Sequence, residues 1–536
     1  MNELDLELSL AWKRLKLDVK DRAFVRYPDE LRLAGLRIHE YLGSVAEMVK
    51  DGTYTPRALD VLDAPKAGGL VRPGADLALT DRLVYLGLVT AAFPKIHAAL
   101  MWSQDVVDFA YRFQRSAQRR DWLRNQYEGW KRWRTKSLDA LDAGATHVVF
   151  ADIAGFYEHI DLALLASELR RVGVDDEVVS SLSRSLNRWA QIRGRGLPQG
   201  TNASDVLAKL YISSLDEALL KEGFFHFRYV DDLRIFCGSR VEAQRAMIRL
   251  AQLLRQKGLS LQSAKSQILE EPAAREKILG IEPVIRDVAQ RFVEFVIGKF
   301  GIPADYIPVF DADQILSSEL DEVPVVVVRE AYANRLLDPE LFDPSLFRFI
   351  LNRLAAAHDK LAVRDSVSFL RSYPEEATAV LDYLTAVGAY DEVVDAVVAF
   401  LRSDAGALYA YQTYQILTWL FVSAPAGDER AASAGRQYGF ETGMPKYVRV
   451  IARRLLGRTG GPADLERLLS TYADVSDPVE QWELICSIRE LERLRRNEFL
   501  GRAATDGFFQ SVAAEAIRGG RDLDPRPGES IRGPGA

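Results

Sequence analysis

Three acidic side chains in this sequence stand where metal-assisted chemistry would need them. Asp152 ends the apolar run Val148-Val149-Phe150-Ala151, and Gly155-Phe156-Tyr157 follow it. Asp231 and Asp232 are adjacent, between the apolar halves Phe225-His226-Phe227 and Leu233-Arg234-Ile235-Phe236. Taken singly, a strand-end aspartate is as often a helix cap, and a short acidic pair is as often a polar hairpin turn. The pair lacks the glycine that a tight turn prefers, and its flanks are too apolar for a free edge. Taken together, the acids fit phosphoryl transfer, in which two divalent cations about 3.5–4 Å apart clamp the attacking and leaving oxygens. Mg²⁺, or Mn²⁺ in its place, takes carboxylate oxygens from rigid strand ends and fills its shell with substrate phosphates. The backbone carbonyl of Ile153, beside Asp152, is a further candidate ligand. Between the acidic sites lies Gly196-Leu197-Pro198-Gln199-Gly200, ahead of a helix beginning near Ser204. Such a loop can bring backbone close to a flat base or sugar. Alone it is an ordinary turn; in the order Asp, Pro-Gln-Gly, Tyr-x-Asp-Asp it is specific.

The elements that must carry these residues follow from periodicity. THVVFADI and FHFRYVDDLRIFC read as strands, short β-branched and aromatic runs, the second folding as a hairpin with the acids at its turn. DLALLASELRRVG, ASDVLAKLYISSLDEALL and VEAQRAMIRLAQLLRQKG read as amphipathic helices. Residues 1–140 are mostly helical in pattern, with a Gly/Pro-interrupted stretch, DAPKAGGLVRPGADLALTD. From residue 301 nearly every segment has helical period, as in PEEATAVLDYLTAVG, YDEVVDAVVAFLRS and MPKYVRVIARRLLGR, which reads as stacked helical pairs without a strict repeat period. The expected division is 1–140 helical and finger-like, 141–300 catalytic, 301–518 helical repeats, and 519–536 a disordered Gly/Pro-rich tail.

Composition bounds the function classes. The 536 residues, 48% hydrophobic and 27% charged, are ample for more than one core. The net charge of −7 gives no whole-chain sign of nucleic acid, but charge is local. Residues 112–136, RFQRSAQRRDWLRNQYEGWKRWRTK, set nine Lys/Arg against two acids, with Trp122, Tyr127, Trp130 and Trp133 interleaved. Arg112, Arg119, Arg120, Arg124, Lys131 and Arg132 are the candidate phosphate contacts, and aromatics can stack on bases; the alternative is a solvated helix with its tryptophans in the core. Cys237 and Cys486, the only cysteines, make neither a disulfide framework nor a zinc site. The charged N-terminus is unlike a signal peptide, and no uninterrupted apolar run of about 18 residues exists. No membrane partner and a cytoplasmic location are therefore expected.

The segments DIAGFYEHI, GLPQGTNASDVLAKLYISSLD, YVDDLRIF and LSLQSAKSQIL resemble, in order, motifs A to D of reverse transcriptases. The resemblance covers roughly residues 60–285. It implies an α+β fold, a right-hand palm and fingers with an antiparallel sheet, and an RNA-directed or template-independent DNA polymerase using dNTPs and binding RNA or DNA. It implies Asp152, Asp231 and Asp232 as the metal acids, and Tyr157 as the aromatic gate beneath the sugar. Gln199 and Gly200 would touch nucleotide and template, and Lys265 would protonate the departing pyrophosphate. Leu279-Gly280 resembles the start of a primer grip. Lys66 and Arg72 resemble the finger cations that grip the triphosphate, and Tyr111-Arg112 is a loose candidate for the second finger motif. The all-α helical-repeat domain after the palm, with GLPQGTNAS, looks like the bacterial abortive-infection reverse transcriptases. That branch implies a homo-oligomer and, in some members, priming from a protein hydroxyl, for which Tyr409, Tyr411, Tyr414, Tyr447 and Tyr472 are candidates. A templated enzyme copying a dedicated non-coding RNA, and an inactive palm serving as a nucleic-acid scaffold, are the alternatives.

Overall fold

The structure, a computed structural model, describes residues 5–300 and 323–521. The start of the expected helical region and most of the expected tail lie outside the described residues. Two compact units emerge, and neither is one continuous stretch. The first comprises Met1–Phe24, His39–Val61 and Ala75–Gly280; the second comprises Val25–Ile38, Leu62–Gly74 and Ile281–Ala536. Cuts near 140 and 300 do not reproduce this division, because two short N-terminal stretches group with the C-terminal helices.

The first unit is built on a four-stranded antiparallel sheet. β1 (Asp60–Lys66) and β2 (Leu70–Asp76) form a separate two-stranded hairpin, most of which, Leu62–Gly74, groups with the second unit, in a region whose pattern reads as helical. The main sheet has β3 (His147–Asp152), β4 (His226–Tyr229), β5 (Asp232–Cys237) and β6 (Gln267–Glu270) in the order β4-β5-β3-β6. Its helices are α1 (Leu8–Asp21), α2 (Ile38–Lys50), α3 (Leu79–Leu100), α4 (Gln126–Asp142), α5 (Phe156–His159), α6 (Leu162–Arg171), α7 (Asp176–Trp189), α8 (Asn202–Lys221), α9 (Arg240–Gln256) and α10 (Glu271–Leu279). The alternation Val148, Phe150 on β3 sends one set of side chains to a core shared with Phe227, Phe236, and Trp133 and Leu141 of α4, and with Ala274 and Ile278 of α10. α9 packs on β3 and β5 as well. Local caps start the helices: Thr201 accepts from Ala203 N ahead of α8, and Asn125 accepts from Glu128 N ahead of α4.

α3 is long and apolar enough to cross a membrane, although Asp81, Arg82 and Lys95 interrupt its run in the sequence. It is a core helix of this unit, with 15 of its 22 residues buried and α1, α7 and α8 packed on it.

In the second unit, helices Pro344–Ala356, Ala377–Ala386, Ala410–Ser423, Lys446–Thr459, Pro478–Ser487 and Phe508–Arg518 form a row in which each packs on the next. Their starts recur about every 33 residues, a period that loop-length variation hides in the sequence. The intervening helices, such as Tyr390–Leu401 and Glu429–Gly439, pack against this row. Residues 25–38 lie on it too. Arg454 pairs with Asp29 at 2.7 Å, the Tyr414 hydroxyl accepts from Arg26 N at 2.9 Å, and Arg37 donates to Ser511 at 3.2 Å. Tyr411, Tyr414 and Tyr447 are buried there, and the Tyr472 hydroxyl donates to Asp506 at 2.8 Å.

Candidate active site

The sheet register brings the acids together. Asp152 is the Cα partner of Asp232 across β3 and β5. Directly opposed residues project from the same face with Cβ atoms about 4.5–5.5 Å apart. Tyr229 pairs with Asp232 across β4 and β5, so Val230 and Asp231 alone make the connection. Val230 has φ 58°, a left-handed conformation that β-branched residues avoid, at a cost of about 1–3 kcal/mol.

That strain is held by charges beneath it. Arg228 Nη1 donates to the Val230 carbonyl at 3.0 Å. The same guanidinium pairs with Asp108 at 2.7 Å and Asp216 at 2.7 Å. Lys209 reaches Asp108 at 2.8 Å, and His226 reaches Asp216 at 3.3 Å. All five side chains are buried. Burial alone would raise the Asp216 carboxyl; Arg228 and His226 outweigh it and hold it below the ordinary range. Burial likewise opposes the Arg228 charge, but Asp108 and Asp216 outweigh it and raise its pKa.

The paired acids themselves are crowded. Burial, then the like charges of Asp232 and Asp152, pushes Asp231 up to about 7. Asp232 is raised by desolvation and by Asp152. Both shifts express a surplus of negative charge that a divalent cation would relieve. The Lys265 ammonium already lies 3.2 Å from Asp152 Oδ1, with its own side chain 58% exposed. Its segment is zipped to the strand end: Gln262 N donates to the Asp152 carbonyl at 2.7 Å, and Asp152 N donates to Ser266 Oγ at 3.3 Å. Ile153 bridges Leu261, but the bonds run through its neighbours, Gln262 N to Asp152 O and Ala154 N to Ser260 O. The Ile153 carbonyl is thus not used by that bridge. Among the described residues no three His, Cys, Asp or Glu side chains close up as a metal cage. Facing carboxylates on strand ends fit instead an open site completed by substrate phosphates.

The Pro-Gln-Gly loop joins the same neighbourhood. Leu197 N donates to the Tyr157 carbonyl at 2.9 Å, and Gly196 N to the Ile160 carbonyl at 2.9 Å. Ala75 N donates to the Gln199 carbonyl at 3.2 Å. Gly200 has φ 94°, and a Cβ there would lie 2.7 Å from the Phe24 ring, so glycine is required twice over. The Tyr157 hydroxyl donates to Asp205 at 2.7 Å and meets the Tyr111 hydroxyl at 3.2 Å. Arg22 closes the cluster on Asp205 at 2.9 Å. Burial, followed by the Asp205 charge, holds the Tyr157 hydroxyl protonated, well above its usual pKa.

The remaining expected residues scatter. Lys66 and Arg72 lie exposed on β1 and β2, in the second unit. Arg112 is buried, on Asp105 at 3.3 Å and the Asn125 carbonyl at 2.9 Å; it holds a loop and is not available to a phosphate. Residues 112–125 are loop, and the helix begins only at Gln126. Arg119 is exposed but paired with Asp121 at 2.6 Å, and Arg124 reaches Asp105 at 3.5 Å. Arg120 and Arg132 are exposed, and Lys131 is half-buried over the Tyr127 ring. Sequence reasoning missed Arg22, Asp205, Asp108, Asp216 and Arg228. The available signal was a lone charge inside an apolar run, as at Arg228 in FHFRYV.

Residues 95–283 match the family model for reverse transcriptase (RNA-dependent DNA polymerase). No curated protein matches the chain. Among solved structures, it is similar to apo telomerase from Candida tropicalis truncated from its C-terminal domain, with 13% identity over 42% of this chain and 54% of that one, at a TM-score of 0.30. It thus spans about half of that telomerase chain. It is also similar to telomerase from Candida albicans in complex with a fragment of telomeric RNA (11% identity, 74% of this chain and 69% of that one, TM-score 0.29). A Cas6-RT-Cas1–Cas2 complex is similar at 12% identity, over 98% of this chain and 67% of that one, TM-score 0.28. The stretch that matches the reverse transcriptase model holds the paired acids, the Pro-Gln-Gly loop and Lys265.

Proposed function

We propose that the chain adds dNTPs to a nucleic-acid end, as an RNA-directed or template-independent DNA polymerase that uses Mg²⁺ or Mn²⁺. The observation that carries this is the register that sets Asp152 opposite Asp232 with Asp231 in the adjoining turn. Asp152, Asp231, Asp232 and the Ile153 carbonyl would hold the cations, which when bound supply electrostatic stabilisation of the transferring phosphoryl group. The Gln199–Gly200 backbone faces the nucleotide in this reading. Incorporation of labelled dNTP by the purified chain, abolished by chelator and restored by Mg²⁺ or Mn²⁺, is the test. Sequencing the nucleic acid bound to that preparation separates copying of a dedicated RNA from untemplated synthesis.

Lys265 is the proton donor to pyrophosphate in this scheme. Lys265→Ala is expected to lower the rate about 10²-fold, as general acids typically contribute, and Lys265→Arg, which keeps the charge beside Asp152, should not restore it. A wild-type rate in Lys265→Arg would make Lys265 a mere counter-ion of Asp152. Tyr157 is the sugar gate, its ring fixed through Asp205. Tyr157→Val is expected to raise rNTP use relative to dNTP use about tenfold or more. Tyr157→Phe, which keeps the ring, should change the ratio far less; an unmoved ratio in Tyr157→Val makes Tyr157 a packing residue.

The layout, a palm followed by helical repeats, supports a role in anti-phage defence of the abortive-infection type. It also supports a homo-oligomer built through the repeats, which light scattering on the full chain decides. Residues 1–140, 141–300 and 301–518 are taken as fingers, palm and repeat regions by function, whatever unit each packs into.

A further inference from the structure

α4 ties two parts of the reverse transcriptase domain together. At its first turn the Tyr229 hydroxyl, from the acid-bearing hairpin, donates to the Gln126 carbonyl at 3.2 Å. Two turns on, Arg134 Nε donates to the Ile278 carbonyl at 3.2 Å. The buried side of the helix is tightly fitted. A Cβ on Gly129 would lie 2.4 Å from the Phe109 carbonyl oxygen, and the Trp133 ring carries the Arg234 guanidinium at 3.4 Å.

The other side carries two large aromatics that bury little. Tyr127 is 47% exposed and Trp130 is 38% exposed. Their rings are nearly parallel, at 10°, with centroids 6.1 Å apart. Lys131 Nζ lies 4.7 Å from the Tyr127 ring centre, and Arg132 is exposed beside them. Protein interfaces enrich aromatics and arginine but deplete lysine. This face mixes flat rings with positive charge, one residue from the contact with the acid-bearing hairpin, in a segment of nine Lys/Arg and two acids.

We propose that Tyr127 and Trp130 form a stacking platform for single-stranded nucleic acid beside the acidic hairpin. The inference rests on the polymerase reading and adds to it the surface that holds the strand. Every base has a π-face, so the platform is indifferent to sequence, while Lys131 and Arg132 meet the phosphates.

The test is fluorescence anisotropy of the full chain with a labelled oligothymidylate of about 15 nucleotides, in chelator so that no synthesis occurs. Trp130→Ala and Tyr127→Ala are each expected to weaken binding about tenfold. Trp130→Phe should retain most of the affinity. The salt slope should stay at its wild-type value in the aromatic variants, since no counterion is involved, and should fall by about one unit in Arg132→Ala. Wild-type binding by both alanine variants overturns the platform. So does self-association of the wild type that Trp130→Ala abolishes, which would give this face to a second copy. A dNTP incorporation assay on the same preparations keeps the two readings apart. Incorporation with binding indifferent to Trp130 removes the platform and leaves the polymerase. Binding through Trp130 without incorporation under any metal leaves the platform and removes the polymerase.

Discussion

Replacing Asp231 by alanine is expected to lower dNTP incorporation about 10³-fold while leaving the protein folded. The magnitude follows from the loss of one carboxylate from a cation clamp that supplies several kcal/mol of charge stabilisation, at 1.36 kcal/mol per tenfold. Retention of the fold follows from the local electrostatics. Burial and the charges of Asp232 and Asp152 already disfavour the ionised Asp231, so removing it relieves repulsion. The thermal midpoint in chelator should therefore hold or rise, the expected signature of a group kept for function at the expense of stability. Asp231→Asn, which keeps the shape of the side chain, should lose activity to a similar degree. Wild-type incorporation by either folded variant would remove Asp231 from the site.

Arg228→Met is expected to cost about 3–5 kcal/mol of stability, because it leaves buried acids without their shared cation. Asp108 and Asp216 are both buried, and Arg228 pairs with each at 2.7 Å. Lys209 still compensates Asp108, so Asp216 bears most of the loss. Urea unfolding reads the effect as a fall in midpoint with unchanged slope. Adding Asp216→Asn to Arg228→Met should recover part of it, since the stranded charge is then gone. A single variant with the wild-type midpoint would show that the network carries little net energy. Activity should fall in both variants even where stability returns, since the donor to the strained Val230 carbonyl is absent from each.

The paired acids were legible in the sequence because they sit at the ends of strands whose apolar runs are unmistakable. Strand pairing then does the rest: once His147–Asp152 and Asp232–Cys237 are antiparallel neighbours, Asp152 meets Asp232 by register alone. The support of the turn was not legible. His226 and Arg228 share one face of β4, which alternation reads as the solvent side, yet both are buried against Asp216. Asp216 precedes Arg228 by 12 residues, on the helix before the hairpin, but Asp108 precedes it by 120, and no local pattern announces a charge neutralised by another so far along the chain. The hairpin β1–β2 was hidden for a different reason. Its central Ala-Gly-Gly and the Pro-Gly before Ala75 read as breaks in a helical region, whereas Gly68 and Gly69, at φ 77° and 74°, make the turn. Arg112 shows the limit of counting charges, since a guanidinium in a basic segment can equally be the internal brace of a loop.

The interleaving of the two units has a consequence for biosynthesis. Asp29 emerges from the ribosome early, but Arg454, which neutralises it, follows more than 400 residues later. At roughly 5–20 residues per second the wait is some tens of seconds. Throughout it the nascent segment 25–38 lacks the row of helices on which it lies in the finished second unit. A chain released before the Lys446–Thr459 helix is made lacks the Arg454 partner of Asp29, so the N-terminal stretch of the second unit reaches its finished packing only when the chain is nearly complete.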